Sequence, residues 1–253
     1  MHTPTYQKSS DTDWAVLFIH GFMGSPKQFT DLAEAVYESG CTYRALLLPG
    51  HGGGMRNFLK FGLRDWQACV QDEIDKLKRE HKKIFLVGHS MGGLLALQAS
   101  LLRENNIAGL VLIATPLKVY LLNPKRLLQR LGIIRLPKSS KMKSIYVDSN
   151  SITVPISLLY SFAIRPAIHF YRLLRQTKKR LPDIFVPVCM FHSKNDETTS
   201  YKSAALLYEG LCNTERRSFS LDKSWHVFFE DDERAFIRVN MLAFIQEIGA
   251  DPS

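Results

Sequence analysis

Short apolar runs alternate along this chain with longer stretches whose apolar residues return at helical spacing. Residues Trp14–Ile19 read WAVLFI, and 45–48, 84–87, 109–114 and 186–191 are runs of the same kind. Such runs lack the polar alternation of a half-exposed strand and predict strands buried on both faces. Residues Arg216–Leu221 form a weaker sixth strand. Helices are expected between them. Ser25 can cap a helix with Pro26 at its first position, ending near Ser39 before Gly40. Asp65 can cap another, in which Trp66, Val70, Ile74 and Leu77 share one face. A third begins at Leu94, and the last runs from about Asp232 to Ile248. Apolar strands alternating with helices imply an α/β fold, a mostly parallel twisted sheet covered on both faces. The sheet is expected to begin at the Trp14 strand.

At 253 residues the chain is long enough for one large domain or a domain carrying an insertion. Its charge favours the insertion. Segment 116–182 holds fourteen Lys/Arg and a single acid, Asp148, whereas the remainder is net −4. Residues 1–115 and 183–253 are therefore expected to form the core, with 116–182 as a basic helical cap. Within the cap, Leu127, Leu128, Leu131 and Ile134 make one helical stripe. Residues 156–179 make a second apolar stretch, kinked or broken at Pro166 and ending in Arg172, Arg175, Lys178, Lys179 and Arg180. Cations at a helix C-terminus suit its dipole, which explains the cluster without a partner. The alternative is that the cap rests on anionic lipid or draws in acidic amphiphiles. Nucleic acid is not expected, because no recognition motif accompanies the charge.

No run is long and apolar enough for a transmembrane helix, and the first residues lack the layout of a signal peptide. The four cysteines have no metal-type spacing, and Cys69, Cys189 and Cys212 lie in apolar or helical stretches that suit buried thiols. A cytoplasmic setting is expected. Neither a metal nor a cofactor is implied.

The chemistry concentrates at Gly88-His89-Ser90-Met91-Gly92, a G-x-S-x-G placed between an apolar strand and an apolar helix. A serine in that turn stands clear of the sheet edge at a helix N-terminus, and the glycines permit the close approach. A serine hydroxyl needs an adjacent base, itself held by a third group. Asp196 follows the 186–191 strand and His226 follows the last strand, in the order Ser, Asp, His. Both lie beyond the carboxyl ends of strands, where open α/β sheets build their sites. Ser90 is the expected nucleophile, His226 its base and Asp196 the group that orients the base. His20 and His51 each precede a glycine and are expected to hydrogen-bond loop backbone. His89 and His192 are expected to pack without acting as base or ligand.

Together with His20-Gly21-Phe22-Met23-Gly24-Ser25, Leu48-Pro49-Gly50-His51-Gly52, Asn195-Asp196-Glu197 and Ser224-Trp225-His226-Val227, these residues resemble the α/β-hydrolase superfamily. Within it the likeness is to the bacterial carboxylesterase and monoacylglycerol lipase group. The resemblance implies an oxyanion hole from the backbone N–H groups of Phe22 and Met91. It also implies hydrolysis of carboxylic esters with lipid-like or short-to-medium acyl chains through an acyl-enzyme. The substrate is then a small, amphiphilic ester. Trp225 stands where the family usually has glycine and is expected to crowd the acyl pocket, with Leu158, Leu159, Phe162 and Ile164 lining it. Thioesterase and carbon–carbon bond hydrolase activities use the same triad and stay open, as does a non-catalytic receptor on a hydrolase scaffold. The leading hairpin of larger relatives is expected to be missing or cut down.

Overall fold

The computed structural model describes residues 2–120, 151–152 and 164–250. Their strands form one sheet: β1 (Thr5–Gln7), β2 (Trp14–Ile19), β3 (Thr42–Ala45), β4 (Lys83–His89), β5 (Ile107–Ile113), β6 (Val188–Ser193) and β7 (Arg216–Leu221). The spatial order is β1-β3-β2-β4-β5-β6-β7, and every pair is parallel except β1 with β3. The described helices are α1 (Thr30–Glu38), α2 (Met55–Phe58), α3 (Leu63–Leu77), α4 (Met91–Ala99), α5 (Ile164–Arg180), α6 (Lys202–Gly210) and α7 (Asp231–Ala250).

The sheet separates two apolar layers, as the unbroken strand runs require. Along β4, Ile84 and Leu86 join α3, α4, α5 and α6 on one face, while Phe85 and Val87 join α1 and α7 on the other. The α3 stripe is as its spacing predicts, with Trp66, Val70, Ile74 and Leu77 buried. Helix α4 is apolar on all sides because it is enclosed: Gln98 alone among its nine residues is not buried. The Gln98 amide donates to Thr177 Oγ1 of α5 at 3.2 Å, and Leu173 of α5 is fully buried against this layer. The last part of the basic segment thus packs directly on α4.

Several expectations need correction. The sheet begins at β1, ahead of the Trp14 strand, as one short strand antiparallel to β3. The 45–48 strand lies instead at Thr42–Ala45, where β1 and β2 both supply partners. Past Ala45 the pairing with β2 ends at the Leu46 N–H, which donates to Phe18 O, and the Leu48 N–H donates to the His20 imidazole. Asp65 is not the cap of α3. Gly62 is, and Asp65, one turn in, accepts the Gly62 N–H at 2.8 Å. Pro166 does not break α5 but lies in its first turn, where no intrahelical donor is lost. Cys212 is exposed and the exempted Cys41 is buried; all four cysteines are free. The 125–135 stripe and residues 153–163 lie outside the described residues. Among the described residues no helix is long and apolar enough to cross a membrane.

Among the described residues the tightest approach to a glycine lies under the Ser90 turn. A Cβ on Gly92 would stand 1.8 Å from the Ile19 carbonyl oxygen, and one on Gly88 would stand 2.5 Å from Gly93 backbone. Neither backbone can yield without separating β2, β4 and α4. Gly92→Ala should therefore lower stability by about 3 kcal/mol or abolish soluble expression, as read by urea unfolding.

Candidate active site

Ser90 occupies the single residue between β4 and α4, with φ 52° and ψ −117°. A non-glycine residue there stores roughly 1–3 kcal/mol of strain and persists only where its surroundings over-determine it. They do so here: the Ser90 N–H donates to Ile113 O at the end of β5, and Ser90 O accepts the Gly93 N–H. The hydroxyl is thereby aimed away from the sheet, at the N-terminus of α4.

Two loops complete the arrangement. Asp196 follows β6, and its Oδ1 accepts the N–H groups of Thr198 and Thr199 at 2.7 and 2.6 Å. That leaves Oδ2 for His226 Nδ1, at 2.8 Å. His226 Nε2 lies 3.0 Å from Ser90 Oγ. The structure thus joins the three residues picked out by chain order, and all three are buried. Burial alone would raise the Asp196 pKa, but the His226 charge and hydrogen bond, with the two threonine N–H groups, hold it below its ordinary value. An ionised Asp196 accepts the Nδ1 proton, which leaves Nε2 as a lone pair facing the hydroxyl.

The loop carrying Phe22 lies against this turn. A Cβ on Gly21 would touch Ser90 Cβ and His89 Nδ1, each at 3.1 Å. Met91 opens α4, so its N–H is among the donors a helix leaves free. Two buried histidines fix the loop, as the sequence suggests. His20 Nδ1 donates to Gly21 O and its Nε2 accepts the Leu48 N–H, at 2.9 and 3.0 Å. His51 Nε2 accepts the Met23 N–H at 3.2 Å. The Ser151 N–H donates to Met23 O at 2.9 Å, joining the loop to the predicted cap. Both imidazoles must be neutral to accept. Burial drives the His20 pKa well below its usual value and that of His51 down to about 4.

The anchor of the His226 loop was not legible in the sequence. Glu233, in the first turn of α7, accepts the N–H groups of Asp222, Lys223 and Ser224 and the Ser224 hydroxyl. Burial raises its pKa, but those four donors outweigh it and keep the carboxyl below its ordinary value. No spacing rule links a carboxylate at a helix start to loop donors nine to eleven residues earlier. Trp225 is half-buried and closes a turn through its N–H to Phe228 O. Of the other proposed pocket residues, Leu158, Leu159 and Phe162 lie outside the described residues, and Ile164 opens α5. A cavity of about 140 Å³ lies behind His89, between α1 and Phe229, and none of Ser90, Asp196 and His226 lines it. Among the described residues no cluster of His, Cys, Asp and Glu could hold a metal.

A sequence profile of the hydrolase family described as serine aminopeptidase, S33 matches residues 10–233. The chain belongs to this family. It is a serine hydrolase with the α/β-hydrolase fold. Over 229 residues it is 29% identical to a thermostable monoacylglycerol lipase of Bacillus sp. (strain H-257), covering 90% of this chain and 89% of that one. It is 22% identical over 237 residues to a carboxylesterase of Bacillus subtilis (strain 168), covering 93% and 94%. A solved structure from work on two metagenome-derived lipolytic enzymes, LipS and LipT, superposes with a TM-score of 0.78. Sequence identity is 24%, over 97% of this chain and 98% of that one.

The buried histidines of this S33 hydrolase give its stability a defined pH dependence. Besides His20 and His51, burial lowers His89 to about 3 and lowers His192. The unfolded chain takes up protons near the ordinary value of 6.5, while the folded chain refuses them until far lower pH. Stability must then fall as pH drops from about 6.5 towards 4, by up to about 1.4 kcal/mol per pH unit per histidine. The urea midpoint should be clearly lower at pH 5 than at pH 7.5; equal midpoints would contradict this.

Proposed function

We propose that this hydrolase cleaves carboxylic esters through an acyl-enzyme on Ser90. The observation that carries the reading is the 3.0 Å contact of His226 Nε2 with Ser90 Oγ, with Nδ1 already committed to Asp196. Ser90 Oγ attacks the ester carbonyl carbon as its proton passes to Nε2. The oxygen of the tetrahedral intermediate takes the negative charge, beside the N–H groups of Phe22 and Met91. Each such donor is typically worth about 3–4 kcal/mol of barrier. Collapse breaks the bond to the alcohol oxygen, which leaves with the proton held by His226. Water then repeats the sequence on the acyl-enzyme, with His226 again taking and returning the proton, and the carboxylic acid departs. Asp196 keeps the ring in one tautomer and stabilises the imidazolium without taking its proton.

The substrate is proposed to be a small amphiphilic ester of monoacylglycerol type. The names of the Bacillus relatives support this, as do the aromatic side chains near the Phe22 loop: the Phe22 and Phe170 rings are 5.8 Å apart. Trp225, Leu158, Leu159, Phe162 and Ile164 remain the proposed acyl-pocket residues, under a cap formed by 116–182. On α5, Ile168 and Tyr171 are exposed beside Arg172, Arg175, Lys178 and Lys179. That apolar and basic surface suits contact with anionic lipid. The free cysteines fit a reducing, cytoplasmic setting.

Wild type and Ser90→Ala should be compared on p-nitrophenyl esters from acetate to palmitate, on a monoacylglycerol and on an acyl thioester. Wild type should hydrolyse the esters and react with a fluorophosphonate, and Ser90→Ala should lose at least about 10³-fold in kcat. A preference for thioester would move the substrate class, and no turnover or labelling on any probe would reject the enzyme reading. Trp225→Gly should shift the preference to longer chains; an unchanged profile would remove Trp225 from the pocket. Charge reversal at Arg172, Arg175, Lys178 and Lys179 should abolish low-salt binding to anionic vesicles, and unchanged binding would reject the lipid contact.

A further inference from the structure

His226 lies in irregular chain after β7, where no ladder partner is available to its main chain. In a buried loop its N–H and C=O would be costly to leave unpaired. Both are nevertheless satisfied, and by unusual partners. The His226 N–H donates to Glu197 Oε2 at 3.0 Å. The His226 carbonyl accepts from His89 Nε2 at 2.8 Å. Glu197 and His89 are both buried, and the His89 ring lies 4.9 Å from the His226 ring.

Their places in the chain give these contacts meaning. His89 immediately precedes Ser90, and Glu197 immediately follows Asp196. The main chain of the base is therefore held from one side by the neighbour of the nucleophile, and from the other by the neighbour of the orienting acid. The ring makes its own two bonds to Ser90 and Asp196 themselves. We propose that His89 and Glu197 are positioning residues that fix the His226 backbone to the Ser90 turn and the Asp196 loop, so that both ring bonds are made at once. This rests on the catalytic reading of Ser90 and His226 given above. Displacement of a catalytic group by about 1 Å can cost roughly 10²-fold in rate, so the clamp acts on the chemical step and leaves substrate binding alone.

Four variants test it: Glu197→Ala, Glu197→Gln, His89→Ala and His89→Gln. Glutamine at 197 still offers an oxygen to the His226 N–H, and glutamine at 89 still offers an N–H to its carbonyl. With p-nitrophenyl butyrate, each alanine variant should lose about tenfold to 10²-fold in kcat, with KM within about twofold of wild type. The rate of Ser90 modification by a fluorophosphonate should fall in parallel, and both glutamine variants should recover most of the loss. Where an alanine variant does not fold, Glu197→Met or His89→Leu fills the volume without the hydrogen bond and serves instead. The proposal is overturned if folded alanine or apolar variants keep kcat within about twofold, if the loss falls on KM, or if glutamine does not rescue. Wild-type labelling lost in Ser90→Ala keeps the underlying reading intact whichever way the four variants fall.

Discussion

The backbone of Ser90 is held in a conformation that an L-residue rarely adopts, and the surrounding elements are arranged to hold it there. Its N–H is tied to the end of β5, and the helix that follows approaches β2 so closely that only glycine fits at position 92. The Gly21 loop lies against the serine from the other side. Release of any one contact would let the turn relax towards ordinary dihedrals and carry the hydroxyl away from His226. The enclosure of α4 on all sides follows from this constraint, since a helix seated so deeply has no face left for water.

Charge in the site is as tightly specified as shape. Several imidazoles are buried within one small region, and burial drives those of His20, His51, His89 and His192 towards neutrality. A neutral ring can donate from one nitrogen and accept at the other, and His20 uses both capacities to brace the Phe22 loop. His226 differs in having an ionised partner at Nδ1. Ser90 Oγ faces His226 Nε2, while His89 directs its own Nε2–H to the His226 carbonyl.

Much of this was legible in the sequence, for identifiable reasons. Buried parallel strands leave unbroken apolar runs, and the α3 face leaves a helical period, so both could be read locally. The meeting of Ser90, Asp196 and His226 could be read because the strand order fixes which loops lie together. The exchange of the 45–48 strand for Thr42–Ala45 could not, since it depends on a pairing with β1 from elsewhere in the chain. Glu197, Glu233 and the carbonyl bond of His89 were invisible for a related reason. Each satisfies main-chain groups of an irregular loop, and irregular loops carry no period by which their partners can be recognised.

The most direct measurement is chemical. Enzyme mixed with p-nitrophenyl butyrate and acid-quenched within a few turnovers can be digested and its peptides weighed. One butyryl group should be found on the peptide containing Ser90, absent from Ser90→Ala and lost with time at neutral pH. Ester turnover with no acylated peptide, or with the acyl group on another residue, would contradict the mechanism built on the Ser90 turn.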